Sequence, residues 1–565
     1  MGILVMEKNV KKTLLDLLVI LICFGVIAAI TIFPYLHEGL SGHYPDLMYH
    51  LLRIESVKDS LVHGEYPAKI YTMFYGGYGY GSPLFYPDIM LVIPAILRLI
   101  GISPVRTWKY FALILCFIAS VTNYLSLTYI TKNKKMSMAG TFMIMLSQFY
   151  LADLHNRVGL SEYMAYIFLP ILFAAVYDFF VYEKHYLKLF VVAATGLLLT
   201  HTIMTFLGVC FCVVFFGIHL IRQLVTSPKA LNKSAFRIKK LAGLLLAGIG
   251  IIGLTAYYLF PMLEQMVSDE FRYQTPWTQV GNNTQPFKNF LMVTGYFRGI
   301  AYVGVGIPLL LGVIFTVKTI IFDEKDFSTK MFYWTGLGAF LLTTNVFPWK
   351  LLNGTIFNMI QFTYRLYPYA ITSLTLGLLM HLSHGLGNDA RKKNLALTIL
   401  ILAACFFGVL QNRTVNDLEK FQIDTEYLCG NSNHTGKREW LSTKVQDDVI
   451  DLSATRNVRC AEGEIDFISD GSTTHSFEIV SAAELEYDVP LLFYKGYRAY
   501  LETDEKRINL PVLESDHGTV LVSNRSGYTG NVIVEYGGTF VQKASLAVSI
   551  ITLAAMILLL ILKRK

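Results

Sequence analysis

Long apolar runs separated by short polar segments fill the first 410 residues, and near residue 412 the pattern changes to short alternating stretches. The apolar runs predict membrane-spanning helices at 13–33, 108–130, 136–153, 163–182, 187–199, 203–222, 240–262, 301–321, 330–346, 365–383, 394–410 and 544–562, most of them near the roughly 20 residues that a bilayer core requires. A further apolar stretch at 86–103 is short and contains Pro94 and Arg98. It is predicted to lie at the interface on the outer face without crossing. With that assignment the basic loops "TKNKK", "EKHYLK", "KALNKSAFRIKK", "NDARKK" and the terminal "KRK" all fall on the inner side, as does the N-terminal segment carrying Lys8, Lys11 and Lys12. The run 187–222 is divided at Thr200, His201 and Thr202. A single tilted helix there is the alternative, and it would move every later basic loop outside.

From Asn412 to Gln542 the stretches "HSFEIV", "GTVLVS" and "NVIVEYGG" alternate apolar and polar positions between "DG", "HG" and "SG" turn signals. They predict an outer, β-rich, sandwich-like domain. The expected organisation is therefore a transmembrane domain at 1–411 with an outer loop at 34–107 built of interfacial helices, an extracytoplasmic β-rich domain at 412–543, and a last helix with a basic cytoplasmic tail at 544–565. No period of 20 to 50 residues repeats, which argues against a solenoid.

Composition agrees with a multi-pass membrane protein: of 565 residues 54% are hydrophobic and 16% charged, and the mean hydropathy is +0.47. The net charge of +7 sits in clusters between spans, where it sets topology and gives no reason to invoke nucleic acid. Cys429 and Cys460 are the two cysteines of the β-rich region, and a disulfide between them is an open alternative to two free thiols.

Candidate chemistry collects in the polar outer segments. In "GHYPDLMYHLLRIESVKDSLVHGEYPAKI" the residues Asp46, His50 and Arg53 share one helical face beside an apolar face of Leu47, Leu51 and Ile54. That predicts an amphipathic helix at the outer surface. "LADLHNRVGLSEY" supplies Arg157 and Glu162, "THT" supplies His201, and "MIQFTYRLYPYA" supplies Arg365. Ionisable groups at a membrane's edge mark a cavity, a substrate path or an ion pair. Arg157 and Arg365 suit a phosphate through paired donors, and a nearby carboxylate, Asp46 or Glu162, suits proton removal from a hydroxyl. His50, Arg53, His201, Tyr78 and Tyr80 are expected to support the site, the tyrosines either as sugar contacts or as interface anchors. "GGYGYG" follows no strand of a βαβ unit, and no Walker A, "HExxH" or Gly-x-Ser-x-Gly motif is present. No metal ligand set is predicted, and a cofactor, including a divalent metal, is left open.

Through "PDLMYHLLRIE", "GEYPAKIY", "GYGYGSPLFYPD", "NRVGLSEYMAYIFLPILF" and, more weakly, "IQFTYRLYPYA", the first 380 or so residues resemble the GT-C superfamily of membrane glycosyltransferases. Within it they are similar to the bacterial "6-pyruvoyl-tetrahydropterin synthase related" and YfhO-like proteins. The resemblance implies an all-α polytopic bundle of about twelve spans, with Asp46 as the essential acid of the first outer loop and Glu162 with Arg157 in the second. It also implies a polyprenyl-phosphate-linked sugar as donor, an envelope polymer as acceptor, membrane lipids as surroundings, and transfer at the outer face of the cell membrane. "HYPD" and "IQFTYR" depart from the family's expected runs around the acceptor pocket. A transporter or flippase of lipid-linked saccharides would use the same arginines without a base, and an assembly scaffold would use the β-rich domain alone.

Overall fold

The structure is a computed structural model. It describes residues 2–562 except 37, 42–43, 227–233, 276–277, 288–295, 298–299, 302–303, 386–388, 417–418, 434–437, 448–449, 451–455, 470, 481–482, 484, 504–505 and 526. The chain forms two compact units, each assembled from separated stretches. One comprises Met1–His43, Lys109–Gly248 and Thr278–Gln422, and the other Tyr44–Trp108, Ile249–Trp277 and Ile423–Lys565.

The principal helices are α1 (Gly2–Ile32), α2 (Tyr44–Val62), α3 (Val92–Leu99), α4 (Pro104–Thr131), α5 (Lys134–Met145), α6 (Leu160–Ala165), α7 (Leu169–Tyr177), α8 (Tyr186–Leu198), α9 (Thr202–Thr226), α10 (Ser234–Ser268), α11 (Ile307–Phe322), α12 (Phe327–Leu342), α13 (Tyr367–Gly385), α14 (Ala390–Asn416) and α15 (Phe540–Leu562). Among the described residues seven helical segments are long and apolar enough to cross a membrane: Thr13–Leu36, Pro104–Thr131, Leu160–Tyr182, Thr202–Thr226, Lys240–Ser268, Ala390–Arg413 and Phe540–Leu562. The remaining predicted stretches are helical too, as α5, α8, α11, α12 and α13, but they are shorter or less apolar. Length and composition therefore support seven spans where the sequence predicts twelve.

In the first unit α8 and α9 are separate helices. Thr200 Oγ1 donates to Gly196 O at 2.7 Å, turning its side chain back onto the end of α8, and Met204 N donates to His201 Nδ1 at 3.2 Å, capping the start of α9. Asp326 caps α12 in the same way, accepting from Thr329 N at 2.7 Å. Helices α12 and α13 approach closely because Gly377 faces the backbone of Tyr333, where an added Cβ would lie 2.8 Å from the Tyr333 nitrogen.

In the second unit α2 forms as predicted, but the exposed polar face does not. His50 and Arg53 are buried together with Leu47, Leu51 and Ile54. Arg53 Nη2 donates to Pro87 O at 2.7 Å, and its guanidinium lies 4.5 Å from the centroid of the Tyr86 ring. The aromatic loop of residues 69–88 therefore covers the polar face of α2. Helix α3 has eight residues, about 12 Å at 1.5 Å per residue against a core of roughly 30 Å. Arg98 at its end is paired with Glu55 of α2 and donates to Thr425 Oγ1 at 2.9 Å.

Ten strands follow: β1 (Asn457–Cys460), β2 (Gly463–Asp466), β3 (Ile468–Ser469), β4 (Thr474–Ile479), β5 (Leu485–Leu492), β6 (Tyr497–Glu502), β7 (Arg507–Leu510), β8 (Val512–Glu514), β9 (Thr519–Asn524) and β10 (Gly530–Tyr536). They pair into two antiparallel five-stranded sheets, ordered β7-β6-β10-β4-β3 and β8-β9-β5-β1-β2. Alternation explains the packing. His475, Phe477 and Ile479 of β4 point inward, and the Phe477 ring meets Tyr487 of the other sheet with centroids 5.5 Å apart. Leu492 N donates to Tyr78 O at 2.8 Å, and Thr473 N and Oγ1 donate to Glu65 Oε1 at 3.0 and 2.8 Å, so the loop after α2 and the sheets form one body. Cys429 and Cys460 are free thiols.

Candidate functional site

The first unit holds a buried ionic cluster. It is built on a π-helical turn, Asp153–Arg157, followed by Val158 in the left-handed region at φ 58° and by the start of α6. A β-branched residue in that conformation is strained, and such strain concentrates where the surroundings over-determine the backbone. Gly159 is required here, because a Cβ would come within 2.5 Å of Asp153 Oδ1. The reversal brings Glu162 back onto Arg157. Arg157 Nη1 and Nη2 donate to Glu162 Oε2 and Oε1 at 2.9 and 3.1 Å, and Nη1 also donates to Asp153 Oδ1.

Arg365 enters from the turn preceding α13 and donates from Nε to Glu162 Oε1 at 2.6 Å. Its Nη1 is occupied by Ile360 O at 2.9 Å and Gln361 Oε1 at 2.8 Å, with Gln361 itself at φ 59°. His201 Nε2 lies 3.8 Å from Glu162 Oε1, Tyr166 Oη donates to Asp153 Oδ2 at 2.8 Å, and the Arg157 guanidinium sits 4.4 Å from the Tyr364 ring centroid. Two carboxylates thus balance two guanidiniums, and Arg157 Nε and Arg365 Nη2 make no hydrogen bond among the described residues.

Of the sequence-predicted residues, the structure brings together Arg157, Glu162, His201 and Arg365. It adds Asp153, Tyr166 and Tyr364, which spacing did not single out. Asp153 was available as the residue four before Arg157, on the same helical face.

Asp46, His50, Arg53, Tyr78 and Tyr80 belong to the second unit. Asp46 is half-buried in the first turn of α2. Tyr78 and Tyr80 are buried, and Tyr80 Oη accepts from Trp440 N at 3.2 Å, so these rings are built into the interior of the unit. The loop's own acid, Asp88, ends the "GYGYGSPLFYPD" stretch, and no spacing in the sequence marks it. It is buried, accepts from Tyr71 Oη at 3.2 Å, and has Arg53 and Lys69 nearby. Burial pushes its carboxyl up to about 6, against the pull of those two cations. Among the described residues no group of three or more His, Cys, Asp or Glu is placed to hold a metal ion.

Residues 6–354 match DUF6541, a family of unknown function. The chain is a member of DUF6541. The matched region contains Asp46, Asp88, Asp153, Arg157, Glu162 and His201 and ends before Arg365 and the β strands. No curated protein matches the chain. Among solved structures, the crystal structure of the Archaeoglobus fulgidus oligosaccharyltransferase in complex with zinc and sulfate aligns with 72% of this chain at 13% identity and a TM-score of 0.36. The chain covers 54% of that protein. A superposition at that score establishes neither a common fold nor a common activity.

In this DUF6541 chain three N–H groups already occupy the Glu162 oxygens. That geometry suits a carboxylate that orients arginines. Asp46 stands in the first turn of α2 and Asp88 on the loop that packs against it.

Proposed function

We propose that the chain is a membrane glycosyltransferase that takes a sugar from a polyprenyl-phosphate donor and adds it to an envelope polymer on the outer face. The observation that carries this reading is the buried Arg157–Glu162–Arg365 arrangement, in which one carboxylate holds two guanidiniums at the ends of helices. The resemblance of the outer-loop motifs to membrane glycosyltransferases supports it. In an inverting transfer the acceptor oxygen bonds to the sugar's anomeric carbon as the bond from that carbon to the phosphate oxygen breaks. The acceptor proton passes to a base, and negative charge develops on the leaving phosphate. Arg365 Nη2 and Arg157 Nε are assigned to that phosphate, where fixed donors are most effective. Glu162 is assigned as the positioning residue that holds both forks, and Asp46 is, as the resemblance implies, the essential acid of the first outer loop.

The test uses membranes containing the full-length protein and a radiolabelled polyprenyl-phosphate sugar. Asp46→Asn is expected to lower transfer by roughly a hundred- to ten-thousandfold at unchanged protein level. Near-wild-type turnover in that variant would move that role to Asp88. If wild-type membranes move the lipid-linked sugar across the bilayer but transfer it to no polymer, the protein is a transporter and the proposal fails.

A further inference from the structure

Far from the Glu162 cluster, a cavity of about 270 Å³ opens between the end of α7, α9 and the start of α12. His219 in its wall is 18 residues along the chain from His201, or about 27 Å at 1.5 Å per residue, close to the thickness of a bilayer core. The cavity therefore lies at the other edge of the span. Its lining mixes phenylalanines, among them Phe180 and Phe327, with the polar groups Tyr177, His219 and Arg222.

Two of these groups are set for an anion. The Arg222 guanidinium stacks 3.8 Å from the Phe327 ring centroid and makes no ion pair among the described residues. The His219 ring packs on Phe180 with centroids 3.9 Å apart, and Gln223 Nε2 lies 3.2 Å from His219 Nε2. In this amide orientation Gln223 donates to that ring nitrogen, and the neutral imidazole then carries its hydrogen on Nδ1. Nδ1 is buried and has no hydrogen-bond partner. The nearby acid, Asp326, is engaged in capping α12 through Thr329 N and Oγ1.

A buried donor without an acceptor is costly, and an arginine held on a ring face presents paired donors that match phosphate. We propose that this cavity binds a phosphate ester, with Arg222 and His219 Nδ1 on the phosphate oxygens and the phenylalanines on the apolar part of the ligand. The volume corresponds to about nine waters at roughly 30 Å³ each, enough for a phosphate and the carbons that follow it. In the sequence the basic segment "KALNKSAFRIKK" follows α9 directly, and such segments attract anionic lipid. The site is independent of the transfer reaction proposed above.

Native mass spectrometry of the full-length protein in detergent tests the assignment with three probes: dihexanoyl phosphatidylglycerol, dihexanoylglycerol and inorganic phosphate. The phosphatidylglycerol complex should form, the phosphate-free diacylglycerol complex should not, and Arg222→Ala should weaken the former at least tenfold. His219→Phe keeps the stacked ring and should weaken it severalfold. Arg222→Gln keeps the side chain's length and provides the same comparison if the alanine variant fails to fold. Displacement by millimolar inorganic phosphate supports a free-anion site, whereas phosphatidylglycerol binding that resists it supports a lipid headgroup site. Equal binding of diacylglycerol, or phosphatidylglycerol binding unchanged in both Arg222→Gln and His219→Phe, overturns the proposal.

Discussion

Replacing Glu162 by Gln tests whether the ionic cluster is held as described. The substitution keeps the volume but removes the charge facing Arg157 and Arg365, leaving two arginines against Asp153 alone. Glutamine offers one acceptor oxygen where the carboxylate offers two, so at least one of the three accepted hydrogen bonds, at 2.9, 3.1 and 2.6 Å, is lost. Glu162 is 2% exposed, so water does not replace what is lost. Removing one partner of a buried pair costs about 3–5 kcal/mol, which in a domain of a few hundred residues lowers Tm by the order of 10 °C. The double variant Glu162→Gln/Arg365→Gln restores charge balance and should be more stable than the sum of the single effects by about 1–3 kcal/mol. Thermal unfolding of the purified protein in detergent, followed by a thiol-reactive dye or by nano-differential fluorimetry, supplies the four corners of the cycle. Strictly additive effects, or a Glu162→Gln protein that melts with the wild type, would refute the pairing.

Other expectations follow from single contacts. Arg365→Lys keeps charge but cannot reproduce Nε to Glu162 together with Nη1 to Ile360 O and Gln361 Oε1, so donor titration should show a raised apparent donor constant, and an unchanged constant would remove Arg365 from phosphate contact. Asp88 is raised from 3.8 to about 6 in the fold. Between those values the folded state keeps a proton that the unfolded chain has released, so stability should fall by about 3 kcal/mol as pH rises through that window. Asp88→Asn should flatten that slope of Tm against pH, and a slope unchanged by the substitution would refute the assignment. Cys429 is exposed and free, so a membrane-impermeant maleimide should label it in intact cells. His63→Cys, on the loop of the same unit, should be labelled with it, and labelling of one without the other would contradict the shared side.

By itself the sequence determined the membrane helices as stretches, the break at His201, the brevity of the 86–103 helix and the inward alternation along β4. These are local properties: helix length follows from the run of apolar residues, and strand facing from a period of two. It also brought Arg157 within reach of Glu162, five residues on across a turn. The tertiary structure decided the rest. Helical spacing puts Arg53 and His50 on one side of α2 but does not state what covers that side, and the 69–88 loop covers it. Arg365 meets Glu162 across 203 residues of chain, and that contact depends on how α6 and the turn before α13 are rotated about their axes. Asp153 and Asp88 looked like ordinary polar residues for the same reason. A carboxylate's role is set by which cations and hydroxyls burial places against it, and packing alone supplies those neighbours.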